Sequence, residues 1–357
     1  MLSLRLKLRL PDVELEGSRD DFLALTVVSP RRISVLIEMP EAHGYEGHGG
    51  VVAVARTQLE PNDSVARGFA ALADFRLPEG TPQSALLAWR RYQDASGRLK
   101  PGMVYPQAGL PQAMSSFVEQ IRRDLVQAIR RSCLALRWRY ALPGPQDPLR
   151  SVGGGAEWSL DGSTWFPLPG NAETRHQPAS DVYPTASVAA DVQTLLDAGL
   201  DEPLAHQIFR EAWDSRLANR QGALVIAVAA LEVGIKAFVT QVSPAAQWLI
   251  AMSPSPPLRR LLGEYLPSLE APGAIDGKVL PPPKAVLDLI DRAVSIRSRT
   301  AHAAGEEIPR DSLDEMLTAI RDVLWMLDLY GGASWAAPHI SASTQAALGL
   351  PLDDGRA

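Results

Sequence analysis

Leu2, Leu4, Leu6, Leu8 and Leu10 alternate with Ser3, Arg5, Lys7 and Arg9. A period of two puts all five leucines on one face of an extended strand and the polar residues on the other. A helix would scatter those leucines around its circumference, so the first element must be a strand with one buried face. Further strands are expected at residues 22–28, 33–39 and 51–56, separated by Pro, Gly and Asp. Residues 64–74 and 84–92 suit short helices. Pro111 is well placed to open a longer helix, with Met114, Phe117, Ile121, Leu125 and Ile129 on one stripe. After Ser132 the alternation of Leu134, Leu136, Trp138, Tyr140 and Leu142 with Arg137 and Arg139 again reads as a strand. Asp161-Gly162 is a strong hairpin signal; a two-residue turn there would pair Leu160 with Ser163 and Trp158 with Trp165. Residues 1–190 are therefore expected to form an α+β domain, an antiparallel sheet carrying one long helix.

The character of the chain then changes. Residues 171–187 are polar and irregular, and a short lead-in helix is expected near 191–196. Beyond it, residues 202–218, 221–241, 244–251, 258–265, 282–304 and 311–330 all follow a helical pattern. Asp311 is a fair N-cap, and Gly331-Gly332 a clear stop. An all-α domain is expected over 191–332, with 333–357 a loose C-terminal tail. Hydrophobic content of 46% and charged content of 21% suit a globular chain. A net charge of −6 argues against a general nucleic-acid coat but leaves room for a local basic site. The single cysteine, Cys133, excludes an internal disulfide and fits a reducing compartment. The N-terminus has no continuous apolar core for export, and the apolar run 223–231 is too short to span a bilayer. The expectation is a cytoplasmic protein with no membrane partner.

The residues with the clearest chemical potential are Arg297-Ser298-Arg299-Thr300-Ala301-His302, near the end of the helix at 282–304. Arginine is always charged and its five donors match phosphate oxygens. Histidine both takes and gives a proton near neutral pH. Ile290, Val294 and Arg297 are about one turn apart, so Arg297 extends an apolar stripe, whereas His302 lies roughly 140° around an ideal helix from it. A groove between helices, or two copies facing one another, would be needed to bring them together. Glu232 is the other notable residue. It sits among Val228, Ala229, Leu231, Val233 and Ile235 on a helix apolar nearly all round, and a carboxylate there needs a partner. Lys236 at i+4 is one choice; Arg297 from a neighbouring helix is the other.

The segment from about Glu202 to Gly332 resembles the HEPN domains of prokaryotic RNA-targeting and defence proteins. "RSRTAH" looks like the frequent "RNxxAH" form of their signature, with Ser298 where Asn is commoner. "GALVIAVAALEVGIKAFV" is similar to the long apolar helix with an "ALE" core in such domains. The likeness covers about a third of the chain. It implies a HEPN-like helical bundle, a homodimer through that bundle, and a metal-independent endoribonuclease without cofactor, acting in phage defence or as a regulated toxin. In that reading the RNA 2′-OH attacks the adjacent phosphorus. His302 is the general acid/base, Arg297 holds the phosphate, Ser298 positions phosphate or histidine, and Glu232 orients Arg297.

Other features carry less. Arg122, Arg130, Arg137 and Arg139, with Trp138 and Tyr140, form a basic, aromatic run that could track single-stranded RNA, as could Arg299. His43-Gly44-Tyr45-Glu46-Gly47-His48 has metal-ligand residue types but reads as a glycine-rich loop, so no metal site is expected. Gly153-Gly154-Gly155 reads as a linker rather than a phosphate cradle. The alternative to an enzyme is a non-catalytic dimerisation or nucleic-acid-binding module coupled to a sensing N-terminal domain; a regulatory protein is a further candidate partner. A third reading makes the Arg-His pair helix-end electrostatics.

Overall fold

The computed structural model describes residues 1–10, 13–15, 22–28, 30–38, 51–144, 146–149, 153–170, 181–183, 188–248, 252, 256–302 and 308–351. The chain divides into two compact units, one formed by Met1–Arg137 with Pro148–Asp201 and the other by Trp138–Asp147 with Glu202–Ala357. The division departs from a simple cut at 190: a ten-residue piece before Pro148 belongs with the helical unit, and the helix Ala189–Asp197 belongs with the sheet.

The first unit is built on a six-stranded sheet in the order β3-β4-β5-β1-β6-β7. The strands are β1 (Leu2–Leu10), β3 (Phe22–Val27), β4 (Ile33–Glu38), β5 (Val51–Leu59), β6 (Gly153–Ser159) and β7 (Phe166–Pro167). Every neighbouring pair is antiparallel. β2 (Val13–Leu15) and β8 (Asp181–Tyr183) form a separate parallel pair. β1 is the interior strand that ties the sheet together. It pairs with β5 along its whole length, Leu2 opposite Leu59 through Leu10 opposite Val51, and with β6 on its other side. Its five leucines are buried, as are Leu23, Leu25, Val27, Ile33, Val35 and Ile37, so the alternation in each strand marks one common buried face.

Two helices, α1 (Asp63–Ala73) and α3 (Gln112–Arg139), supply the apolar cover. Phe69 of α1 packs edge-on against Phe117 of α3 and lies 4.8 Å, ring to ring, from Trp158 of β6. Asn62 caps α1 by accepting a hydrogen bond from the Val65 amide. α2 (Gln83–Trp89) buries only Trp89. α4 (Ala189–Asp197) closes the β3 edge, where the Gln193 carboxamide accepts from the Thr26 amide and donates to the Thr26 carbonyl. That side chain makes the pair of bonds a further strand would make, leaving the edge less open to strand addition.

Three expectations are corrected in this unit. Residues 134–139 continue α3 instead of forming a strand. Leu134, Ala135, Leu136, Arg137 and Trp138 are all buried, so both phases of the alternation face the interior and the period of two carries no information there. The hairpin register also differs: Trp158 pairs with Phe166, and Trp165 does not pair with it. The Asp161 carboxylate explains this, because it accepts from the Ser163 and Thr164 amides and from the Ser159 and Thr164 hydroxyls, winding a wider loop than a two-residue turn. Those bonds hold its carboxyl well below the usual carboxylate range. Finally, Gly153–Gly155 are residues of β6, paired with β1 at Arg9, Leu8 and Lys7, and so are not a linker. His43 and His48 lie outside the described residues, as does most of 171–187.

The second unit is helical. α5 (Leu204–Ser215), α6 (Arg220–Val242), α7 (Lys284–His302) and α8 (Arg310–Tyr330) are its main elements. Asn219 caps α6 through the Gly222 amide. A broken stretch, Leu258–Arg260 followed by a wide turn Leu261–Tyr265, connects α6 to α7. α6 is long and apolar enough, by length and composition, to cross a membrane. Here it is a core helix: Leu224, Ala227, Val228, Leu231, Ile235 and Val239 are all buried, and Gly234 lets Leu324 of α8 and Ala205 of α5 approach its backbone closely.

Residues 333–351 are not a loose tail. A 3₁₀ turn at Ser334–His339 and helix α9 (Ala342–Leu348) bury Ala336, Ile340 and Leu348. Asp322 of α8 anchors α9 by accepting from the Ser341 amide at 3.0 Å and the Thr344 hydroxyl at 2.7 Å. Trp325 of α8 packs against His339 at 4.7 Å between ring centres. The docked segment carries two rings past the glycine stop, Trp335 and His339, which pack on one another.

The two units give separate stability predictions. Trp158→Ala, which empties a space shared with Phe69 and Phe166, should cost about 3–5 kcal/mol in urea unfolding. Trp165→Ala removes only an exposed-side stack with Arg5, 3.9 Å from its ring, and should cost about 1 kcal/mol or less. Equal effects would contradict the observed register. His339 is depressed below its ordinary pKa by burial, with Arg139, His206 and Arg321 adding repulsion. A depressed histidine binds its proton more readily when unfolded. Its stabilising share is therefore full above its ordinary pKa of 6.5 and is lost as pH falls through its folded value. Unfolding midpoints should drop as pH falls below about 6.5, and His339→Gln should flatten that dependence.

Candidate active site

The site at the end of α7 follows from how that helix packs. Val286, Ile290 and Ala293 are buried, and Val294 is half-buried. Arg297 continues this stripe by one turn and is itself half-buried, its side chain 28% exposed. An arginine in that position faces the neighbouring helix rather than open solvent, and its guanidinium approaches the Glu232 carboxylate of α6 to 3.7 Å. Glu232 is the more enclosed partner, at 13% exposed. At that separation the two are an ion pair held by charge, longer than an ideal hydrogen bond. The sequence left Glu232 with two candidate partners, and the structure brings Arg297 to it.

Ser298 and Arg299 are exposed. α7 remains helical through His302, whose backbone closes the element. The His302 side chain lies outside the described residues. On an unbroken helix the positions of Arg297 and His302 are about 140° apart, so the described backbone does not fold the turn back to bring the two positions onto one face. The group can place a cation, held by a half-buried carboxylate, beside exposed donors at one helix end. Such a cation suits an anionic oxygen.

The basic run at 122–139 is distributed differently from an open track. Arg122 is half-buried, donating to the Pro169 carbonyl at 2.7 Å; Gly170 lies so close that a Cβ there would meet its guanidinium at 2.2 Å. Arg130 is half-buried and Arg137 fully buried. Arg131, its neighbour, pairs with Asp201 at 2.6 Å. Arg139 lies over the rings of Tyr140 and Trp335, 4.9 and 5.2 Å from their centres. These arginines are engaged in packing along a helix that is mostly interior by its end, because the strand reading that would have turned alternate residues outward does not hold.

Sequence reasoning missed a second polar group in the helical unit. The Asp328 carboxylate accepts from the Trp138 indole at 2.7 Å and lies 2.8 Å from His206 Nε2. The His206 nitrogen is close but poorly aimed, so charge proximity rather than a directed hydrogen bond describes it. Glu202 and Arg210 form a buried pair beside it in sequence. The available signal was Asp328 in the apolar run LWMLDLY of α8, three residues before Gly331. No family model, no curated protein and no solved structure matches this chain.

The Glu232–Arg297 geometry makes a prediction apart from any activity. A double-mutant cycle with Glu232→Gln and Arg297→Gln should show a favourable coupling of up to about 1 kcal/mol, reduced by added salt. No coupling in urea unfolding would mean that the two charges are neighbours only.

Proposed function

We propose that the helical unit is a HEPN-type, metal-independent endoribonuclease, with Arg297 and His302 as its working pair. The observation that supports this best is Arg297 itself: a guanidinium held half-buried against Glu232, at the end of a helix whose next residues, Ser298 and Arg299, are exposed. A residue needed only for packing would be apolar, and one needed only for solubility would lie on the outer face. A half-buried arginine beside a carboxylate is oriented yet able to meet a phosphate.

The chemistry follows from the residue types. The RNA 2′-hydroxyl attacks the adjacent phosphorus and loses its proton to a base. The bond from phosphorus to the 5′ oxygen breaks, and that oxygen takes a proton from an acid. The products are a 2′,3′-cyclic phosphate and a 5′-hydroxyl. His302 is the proton carrier. Arg297 holds the nonbridging oxygens as negative charge builds on them. Ser298 and Arg299 contact the phosphate backbone, and Glu232 positions Arg297. DNA lacks the attacking hydroxyl and is not cut. Because the two helical positions are about 140° apart, the active form is a homodimer in which Arg297 of one copy meets His302 of the other. A role in phage defence or as a regulated toxin fits such an activity.

The test uses an RNA oligonucleotide and purified variants. His302→Ala should lower the cleavage rate by about 10²–10⁴-fold without unfolding the protein. Arg297→Ala should do comparable damage, and Arg297→Lys should not restore full rate, because an ammonium lacks the two-pronged contact. Mixing the His302→Ala and Arg297→Ala proteins should restore part of the activity, since one of the two composite sites is then intact. Cleavage by His302→Ala at the wild-type rate would end the ribonuclease reading. An active wild type without restoration on mixing would place both residues in one copy.

A further inference from the structure

The sheet-bearing unit carries a surface that the Arg-His site does not use. α2 buries a single residue, and Leu87 on it is 72% exposed and Leu86 39% exposed. The loop that packs against it exposes Met103 at 38% and Val104 at 44%. Helix and loop form one platform. The Trp89 ring stacks on Tyr105 at 5.8 Å, the Lys100 amide donates to the Tyr92 carbonyl, and the Leu99 amide donates to Phe75. Gly109, at φ +98°, brings the loop so close that a Cβ would lie 2.4 Å from Ala85 Cβ. The underlayer is thus fixed, and the exposed apolar side chains stand on it.

Cations flank them in the chain. Between Asp74 and Val104 there are five, Arg76, Arg90, Arg91, Arg98 and Lys100, against three carboxylates, in a chain whose net charge is −6. Two of those carboxylates are turned to local work: Asp74 pairs with Arg76, and Asp94 accepts from the Ser96 and Arg98 amides of its own turn. Three of the cations also make local contacts. Arg98 donates to the Asp74 carbonyl, Lys100 to the Arg91 carbonyl, and Arg91 lies over Tyr92.

We propose that this platform docks an acidic amphipathic segment of a partner protein. The segment's apolar face would cover Leu86, Leu87, Met103 and Val104, and its carboxylates would meet Arg90, Arg91, Arg98 and Lys100. Two observations choose this occupant. The exposed apolar groups are aliphatic, Trp89 and Tyr105 are buried, and the half-buried Tyr92 ring is already engaged by Arg91 at 4.8 Å, which disfavours base stacking and so single-stranded nucleic acid. Arg98 and Lys100 are held by bonds to backbone carbonyls, which suits carboxylates at set positions better than a mobile layer of lipid headgroups. A pre-formed platform loses little ordering entropy on binding. The inference is independent of the Arg-His chemistry.

Fluorescence anisotropy on the full chain tests it. The probe is a labelled synthetic helix of about 18 residues with leucines at i, i+3, i+4 and i+7 and glutamates elsewhere. The comparisons are the same peptide with lysine for glutamate, phosphatidylcholine–phosphatidylserine vesicles, and oligouridine. The leucine–glutamate peptide should bind. Leu87→Ser with Val104→Ser should weaken it about tenfold, and Arg90→Glu with Arg91→Glu should weaken it while improving binding of the lysine peptide. All four positions are at the surface, and matching thermal melts will establish that the variants fold. Absence of binding, equal binding of both peptides, or indifference to the Arg90 and Arg91 reversals would overturn the proposal. So would binding confined to vesicles or oligouridine, or self-association abolished by Leu87→Ser.

Discussion

A helix that is apolar on every side must be enclosed, and in this protein α6 sets that demand. Buried Ala223 and Ala230 lie about 100–180° round the helix from buried Leu224, Val228 and Val239, so no single neighbour covers them all; α5, α7 and α8 pack around the helix. Burying such side chains is worth about 1.5–3 kcal/mol each, which is ample reason for the flanking helices to assemble. Gly234 lets two of them come close. The same enclosure makes Glu232 consequential. A carboxylate on that helix is drawn out of water along with its neighbours, and a cation from a covering helix is then favoured beside it. Arg297 is that cation. Packing and candidate chemistry thus share one origin.

The sheet-bearing unit rests on β1 in a comparable way. Its leucines define the buried face, and its pairing on both sides carries that face into β5 and β6. Across the polar face, Arg5 donates to Glu157 at 2.6 Å directly opposite it and stacks on Trp165. The strand therefore has one face committed to the core and one to polar cross-strand contacts, and a register slip of one residue would exchange the two.

Where alternation separated buried from exposed residues, the sequence was a sufficient guide. β1, β3 and β4 lie where the period of two places them, and α5 to α8 lie where apolar residues recur every three to four positions. It misled where that contrast vanished. At 134–138 every residue is buried, so alternating chemistry did not mean alternating environment. At Asp161 a side chain rather than the backbone set the length of the turn. Beyond Gly332, the docking of the last helix depends on Asp322, nineteen positions before Ser341, a long-range contact that no local pattern encodes. The Glu232–Arg297 pair was legible as one of two options, because a buried carboxylate announces a need for a cation without naming which. The Asp328–His206 group was not noticed, since its members are far apart in sequence and unremarkable singly.

An ion pair, exposed donors at a helix end and a histidine one turn further on make a claim about bond making that product chemistry tests directly. The measurement is the chemical nature of the ends left when the full chain acts on a defined RNA in EDTA, beside the same RNA carrying a 2′-deoxy sugar at the cut position. The account predicts a 2′,3′-cyclic phosphate and a 5′-hydroxyl from the first, and no cut at that position in the second. A 3′-hydroxyl with a 5′-phosphate, cutting at the 2′-deoxy position, or an RNA left whole would contradict it.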